Sequence, residues 1–169
     1  MSVTIFAVIF VAVAGAFFSG VRLWGRISRA DVPDMFMALD LQKLGRDLRM
    51  CIDIPLVGFT GSRTGLSFPA VLDTSVVRVV YAFDPAKKEL LRSVYPFDPA
   101  KEDGFNDAQP AVSRLFRADE LVFEYLDHGD NESVWLEAWP AVKGVFRAVR
   151  VRGSWKGAAF GKIIIIPQI

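Results

Sequence analysis

The sequence predicts an α+β protein: a long N-terminal helix, first membrane-spanning and then amphipathic, packed on a mainly antiparallel β-sheet domain. Three observations predict it. The first charged side chain is Arg22, and the run before it is almost wholly apolar. Met37, Leu41, Leu44, Leu48 and Cys51 then recur at helical spacings of four, three, four and three. After Asp53 that period gives way to short runs of alternating apolar residues between turn residues. The 169 residues therefore divide into a membrane or filament-core helix at 1–21, an amphipathic extension at 22–53 and a β-rich globular domain at 54–169.

Ser2 to Val21, at about 1.5 Å per residue, makes a helix about 30 Å long, the thickness of a bilayer's hydrocarbon core. A cleaved secretory signal has a basic region before a shorter apolar core, and nothing basic precedes this run. A buried core helix carries a polar stripe, and Ile5 to Phe18 has none. The bulky side chains Ile5, Phe6, Val8, Ile9, Phe10, Val13 and Phe17 are the expected membrane and assembly face. Ala7, Ala12, Ala14 and Gly15 allow close approach of another helix. Arg22, Arg26 and Arg29 follow the run, and the positive-inside rule applied to these charges alone places the C-terminal body in the cytoplasm.

In the second segment Met37, Leu41, Leu44 and Leu48 form the face expected to pack on the sheet. Asp40, Lys43, Arg46, Asp47 and Arg49 are assigned to the opposite, solvated face, with Lys43 and Asp47 placed to pair weakly. Pro33 interrupts the helix or sits in the first turn of a restart capped by Asp31.

In the third segment Gly65–Val71 reads as an edge strand, because Pro69 has no N–H to give a ladder. Ser75–Phe83 alternates Val77, Val79, Tyr81 and Phe83 on one face. Asp84-Pro85 opens a turn, and Glu89–Val94 returns as a hairpin partner. Glu120–Leu126, Val134–Trp139, Ala148–Trp155 and Lys162–Ile166 complete about seven strands. The all-apolar Ile163–Ile166 reads as covered on both faces. FDPAK occurs at Phe83–Lys87 and again at Phe97–Lys101, two copies of a strand-ending turn rather than a solenoid repeat. Pro96–Pro110 reads as a long acidic and aromatic loop.

The chemistry-bearing residues are few. Lys+Arg total 20 against 19 Asp+Glu, which leaves no electrostatic footprint for nucleic acid. Cys51 is the one cysteine, so no intrachain disulfide forms, and it reads as a small buried residue. His128, the one histidine, lies in LDHGDNES, where Gly129-Asp130-Asn131 is hairpin-turn chemistry and the spacing does not fit an EF-hand. No nucleophile elbow, P-loop, dinucleotide-binding glycine pattern or zinc spacing is present. Trp135 and Trp139 would share a strand face, a sugar platform or, more commonly, packing. No catalytic, cofactor-binding or metal-ligating residue is assigned, no cofactor is expected, and the chain reads as a structural or assembly protein rather than an enzyme.

The wording of the start, Met1-Ser2-Val3-Thr4-Ile5-Phe6-Ala7-Val8-Ile9, resembles the apolar stretch of type IV pilins and type II secretion pseudopilins. In that family it follows a basic leader, a cleavage site and a glutamate. The resemblance implies that those elements lie upstream of Met1, and the leader would hold the N-terminus in the cytoplasm. The body resembles the J-type minor pseudopilin, at Leu41-x-x-Leu44-x-x-Asp47-Leu48-Arg49, at Leu66-Ser67-Phe68, at Val79-Val80-Tyr81 with Leu91-Arg92, at Leu121–Tyr125 with Trp135 and Trp139-Pro140, and at Ile166-Pro167. Phe146-Arg147 stands where the family usually has a proline. The resemblance implies a pilin-like fold, a single-pass protein of the bacterial inner membrane with a periplasmic body, and a structural role at the pseudopilus tip, initiating assembly for protein export. The implied partners are the I- and K-type minor pseudopilins, the major pseudopilin and the inner membrane, with no nucleic acid. Two alternatives stay open: a minor type IV pilin in adhesion or DNA uptake, and a membrane-tethered periplasmic binding module.

Overall fold

The computed structural model describes residues 32–54, 58–98, 100–101, 104–105, 110–128, 133–141 and 144–167. The chain divides into two units, Met1–Phe36 and Met37–Ile169. The expected membrane and assembly positions Ile5, Phe6, Val8, Ile9, Phe10, Val13 and Phe17 lie outside the described residues.

Among the described residues one helix, α1, runs from Val32 to Arg49. Pro33 falls in its first turn, where an N–H has no intrahelical acceptor and its absence costs nothing. Nine strands follow among the described residues: β1 Thr60–Ser62, β2 Gly65–Leu72, β3 Ser75–Asp84, β4 Glu89–Pro96, β5 Ala111–Arg117, β6 Glu120–His128, β7 Ser133–Leu136, β8 Ala148–Trp155 and β9 Ala158–Ile165. They form two antiparallel sheets, ordered β1-β2-β3-β4-β5 and β7-β6-β8-β9. The expected α+β class is thereby corrected. Among the described residues the protein is mainly antiparallel β with one short helix, and no long N-terminal helix packed on the sheet is shown. The expectation gave helix to the whole apolar and amphipathic stretch. The described helix ends at Arg49, and Cys51 already bridges Ala70 of the sheet.

That pairing also corrects the edge expected at Pro69. Ile52 donates to the Pro69 carbonyl (3.1 Å) and Val71 donates to the Met50 carbonyl (3.0 Å), outside β2. A strand residue's N–H and C=O point to the same side, so the donor missing at Pro69 faces this outer segment and not the β2–β3 ladder. β2 is therefore an interior strand, covered by β1 at one end and by residues 50–52 at the other.

β1 and β5 are strands beyond the seven expected from the sequence. Conversely, β7 ends at Leu136, and Trp139 instead forms an isolated bridge to Gly61. β9 is an edge strand, contrary to the double cover expected of Ile163–Ile166: Ile164 and Ile166 are buried, but Ile163 is 57% and Ile165 74% exposed. The two FDPAK copies close as Asx turns. The Asp84 carboxylate accepts from Ala86 and Lys87 (2.9 and 3.0 Å), and the Asp98 carboxylate accepts from Ala100 (3.0 Å).

The inward residues of both sheets and of α1 make one buried cluster. Phe68, Val79 and Tyr81 come from the first sheet, Phe123, Tyr125, Val149 and Val151 from the second, and Leu44 and Leu48 from the helix. Phe146, from the β7–β8 connection, meets Phe59, Tyr125 and Trp139 at ring-centroid distances of 5.3, 5.2 and 5.9 Å. Gly61 of β1 lies against the Tyr125 ring so closely that a Cβ would stand 2.2 Å from it. Gly45 of α1 differs, since its Cβ would meet Ile164 at an ordinary 3.8 Å.

These two glycines predict opposite outcomes. Gly61→Ala destabilises the fold by about 1–3 kcal/mol through overpacking. Gly45→Ala stabilises it by about 0.5–1 kcal/mol, because alanine loses less backbone entropy in a helix. Denaturant unfolding of both variants checks the pair, and equal signs would contradict it.

Candidate functional site

Of the helix positions singled out in the sequence, Leu41, Leu44 and Leu48 lie in the core and Met37 is half-buried against it. Asp47 was assigned to the solvated face with Lys43. The structure buries it completely, on the same side as Leu44 and Leu48. Its Oδ2 accepts hydrogen bonds from the Tyr81 hydroxyl (2.7 Å) and from Arg92 Nε (2.6 Å). Tyr81 and Arg92 are directly opposite one another in the β3–β4 ladder, so the register brings both to the same carboxylate. The Arg92 side chain is only 12% exposed.

Burial, and then the charge and hydrogen bond of Asp47, push the Tyr81 hydroxyl far above its ordinary pKa. Burial alone lowers Arg92, but Asp47 more than offsets this, and its pKa ends raised. Tyrosine and arginine both stay protonated at any physiological pH, and the carboxylate is engaged by both. The group is therefore a structural clamp between α1 and two strands, not an acid–base pair.

Two other buried carboxylates are held the same way. Glu89 pairs with Arg114 and Arg117 of β5, each at 3.0 Å. Glu124 accepts from Arg150 Nε (2.7 Å) and from Arg152 Nε and Nη2 (both 2.7 Å) on the outer face of the second sheet. Burial raises the Glu124 pKa, yet the bonds and charges of Arg150 and Arg152 outweigh it and hold the carboxyl below its ordinary range. Arg150 also lies 4.4 Å from the centroid of the Trp135 ring.

The tryptophans do not form a platform. Trp135 belongs to β7, while Trp139 is buried, with its Nε1 donating to the Gly144 carbonyl at 2.7 Å. Burial raises the Cys51 thiol to about 11, so a thiolate nucleophile is not available there. His128 closes β6 opposite Ser133, and residues 129–132 of its turn lie outside the described residues. Among the described residues no group of three or more metal-ligating side chains occurs. A shallow cleft of about 310 Å³ lies along β1–β3 and carries the hydroxyls of Thr60, Ser62, Thr64 and Ser67, without a base to activate them.

The exposed surface of α1 changes character along its length. Met35, Phe36 and Leu39 are exposed in its first half, away from the side that carries Leu41, Leu44 and Leu48, whereas Gln42, Arg46 and Arg49 are exposed in its second half. The exposed apolar residues were not legible as such in the sequence, where only the sheet-facing spacing stood out. Among the described residues no helix is long and apolar enough to cross a membrane. No family model, curated protein or solved structure matches the chain.

Asp47→Ala leaves Arg92 and Tyr81 buried without their acceptor and costs about 3–5 kcal/mol by denaturant unfolding. Replacing both ionic partners, Asp47→Leu with Arg92→Leu, recovers most of that loss, and a fully additive double variant would contradict the clamp. For Glu124 the folded pKa lies below its ordinary value of 4.5, so its stabilisation is full above that value and is lost as pH falls through the folded pKa. Glu124→Gln should flatten the acid side of the stability–pH curve, and an unchanged acid limb would contradict this.

Proposed function

We propose that this chain is a membrane-anchored assembly subunit of the minor pseudopilin kind, a structural piece of the pseudopilus tip that helps initiate the filament for protein export. The supporting observation is a helix whose first half leaves large apolar residues exposed, and which follows an uncharged run long enough to span a bilayer. α1 buries Leu41, Leu44 and Leu48 in its own core and leaves Met35, Phe36 and Leu39 exposed. A helix that only covers a sheet has no use for exposed apolar residues at its start, since residues of that size are what protein or membrane contacts bury.

On this reading the run Ser2–Val21 sits in the inner membrane and the β-rich body in the periplasm. Ile5, Phe6, Val8, Ile9, Phe10, Val13 and Phe17 exchange lipid for neighbouring helices when the subunit enters the filament. The cost is small, because lipid tails and helix interfaces are similarly apolar and the gain comes from close packing at small residues such as Ala12 and Gly15. The neighbours are the I- and K-type minor pseudopilins and the major pseudopilin. The Asp47 clamp gives the mechanical link, because a pull along α1 is carried through the Asp47–Arg92 and Asp47–Tyr81 bonds into β3 and β4. No catalytic step and no cofactor enters this role.

In cells that assemble the filament, the full chain should stay with the inner membrane through alkaline carbonate and leave it in non-ionic detergent. Leu39→Cys, on a Cys51→Ala background, should cross-link to another pilin-like subunit. Recovery of the intact chain as a detergent-free monomer, or Leu39→Cys adducts that include no such subunit, would overturn the proposal.

A further inference from the structure

Resting on the membrane-anchored reading above, we propose that the exposed side of α1 docks on anionic phospholipid and holds the body down on the bilayer before the subunit joins a filament. Met35, Phe36, Leu39, Gln42, Arg46 and Arg49 are all exposed. They follow one another at spacings of one, three, three, four and three, and so form one stripe on the side of α1 opposite Leu41, Leu44 and Leu48. No Asp or Glu lies on that stripe. Its first half is large and apolar, and its last turn is basic.

The two arginines differ from those of the sheets. Arg92, Arg150 and Arg152 are each held by a buried carboxylate. Arg46 and Arg49 have no ion pair and no side-chain hydrogen bond among the described residues. An apolar surface beside unpaired cations is what a helix at a lipid interface carries: the apolar part enters the boundary of the acyl chains, and the cations meet the phosphates. The guanidinium fork offers a phosphate two donors at once. Arg46 stands about 10 Å along the axis from Leu39, so a slanted α1 sets one at the acyl boundary and the other at phosphate height.

The chain itself favours lipid over a protein partner. Thirteen residues, 22–34, lie between the apolar run and Met35. Fully extended they reach about 45 Å, while the headgroup layer is about 6 Å thick on each side of the bilayer. The bilayer surface is therefore within reach of the stripe in an anchored subunit, at a high effective concentration that needs no second protein. The linking sequence carries interfacial residue types, Trp24 with Arg22, Arg26 and Arg29, and no acid before Asp31. Pro33 has no N–H to bond back into a preceding turn, so α1 is free to leave the direction of the run. The apolar half of the stripe is the half nearer the anchor. Entry into the filament then exchanges lipid for neighbouring subunits at these same side chains.

The test uses the full chain in vesicles of phosphatidylcholine alone and of an equal mixture with phosphatidylglycerol. An environment-sensitive fluorophore is placed on Leu39→Cys in the Cys51→Ala background. Flotation with the vesicles reads the anchor and the fluorophore reads the stripe, so the two fail separately. In the mixed vesicles the emission should move to shorter wavelength and be quenched by a spin label on the upper acyl chain, and high salt should reverse both. The same fluorophore on Val134→Cys, exposed on β7, should show neither. Arg46→Gln and Arg49→Gln, at exposed positions where thermal unfolding should be unchanged, should each lower the preference for phosphatidylglycerol about fivefold. Flotation with both vesicles but a water-like emission at position 39 would overturn the docking surface and leave the anchor standing. Equal emission with and without phosphatidylglycerol would overturn the anionic partner. A shift that grows with the protein-to-lipid ratio would overturn it as well, because it marks a second copy on the stripe.

Discussion

The buried Asp47 carboxylate is the constraint on which the arrangement of helix and first sheet depends. It joins residues 34 and 45 positions apart, Tyr81 and Arg92, through bonds of 2.7 and 2.6 Å. A carboxylate taken out of water at this depth is tolerable only with such partners. Those partners exist only when β3 and β4 pair in the register that sets Tyr81 opposite Arg92. Helix position, strand register and hairpin length are thus one condition. The turn between β3 and β4 meets it locally: the Asp84 side chain accepts from two backbone N–H groups, and Lys88 takes a positive φ of 55°. The other two buried carboxylates repeat the device further along the chain, Glu89 tying β4 to β5 and Glu124 tying β6 to β8. In each the cation is arginine, whose planar fork reaches a carboxylate with several donors at once.

Much of the second sheet was legible because its strands alternate cleanly. Leu121, Phe123 and Tyr125 of β6 and Val149 and Val151 of β8 are buried, while Arg150 and Arg152 point outward. β5 was not legible, and the reason is physical. A bulge shifts the β4–β5 register between Glu89 and Leu91, so that Arg114 and Arg117, three apart, both reach Glu89. A bulge breaks the period of two on which strand recognition rests, and AVSRLFR shows no clean alternation. β1 was missed because a three-residue strand with a central glycine has no pattern at all. Its place is set by Tyr125 lying on Gly61 and by the Trp139 bridge, contacts far away in sequence. The overestimate of helix has a different source. Apolar spacing says which face of a helix is buried but not where the backbone leaves the helix, and Cys51 continues the spacing while pairing with Ala70 as strand.

The site was legible in its apolar half and hidden in its polar half. Spacing alone picks out Leu41, Leu44 and Leu48, which the structure buries. The same spacing places Asp47 beside them, only one residue before Leu48, but a charge is assigned to solvent by default because unpaired burial is costly. The partners that make burial tolerable are named only by the fold. The run Ile163–Ile166 fails in the opposite sense. Four isoleucines in a row suggest cover on both faces, whereas a strand at a sheet edge leaves alternate residues bare whatever their hydropathy.

The clamp does something that the apolar stripe of α1 cannot. Met37, Leu41, Leu44 and Leu48 recur at nearly one helical turn, so a slide of the helix by one turn would set leucine where leucine had been. Hydrophobic contact is non-directional and discriminates poorly between two such registers. Asp47 occurs once in that stripe. A slide of one turn, about 5.4 Å, would carry its carboxylate beyond hydrogen-bond reach of Tyr81 and Arg92 and leave three polar groups buried and unmet. Uncompensated burial of that kind costs several kcal/mol, a large share of the total stability of a small domain. An apolar replacement of the ionic set would match the clamp in energy, but it would restore the ambiguity of register. The carboxylate is therefore better understood as fixing where the helix stands than as adding to how tightly it is held.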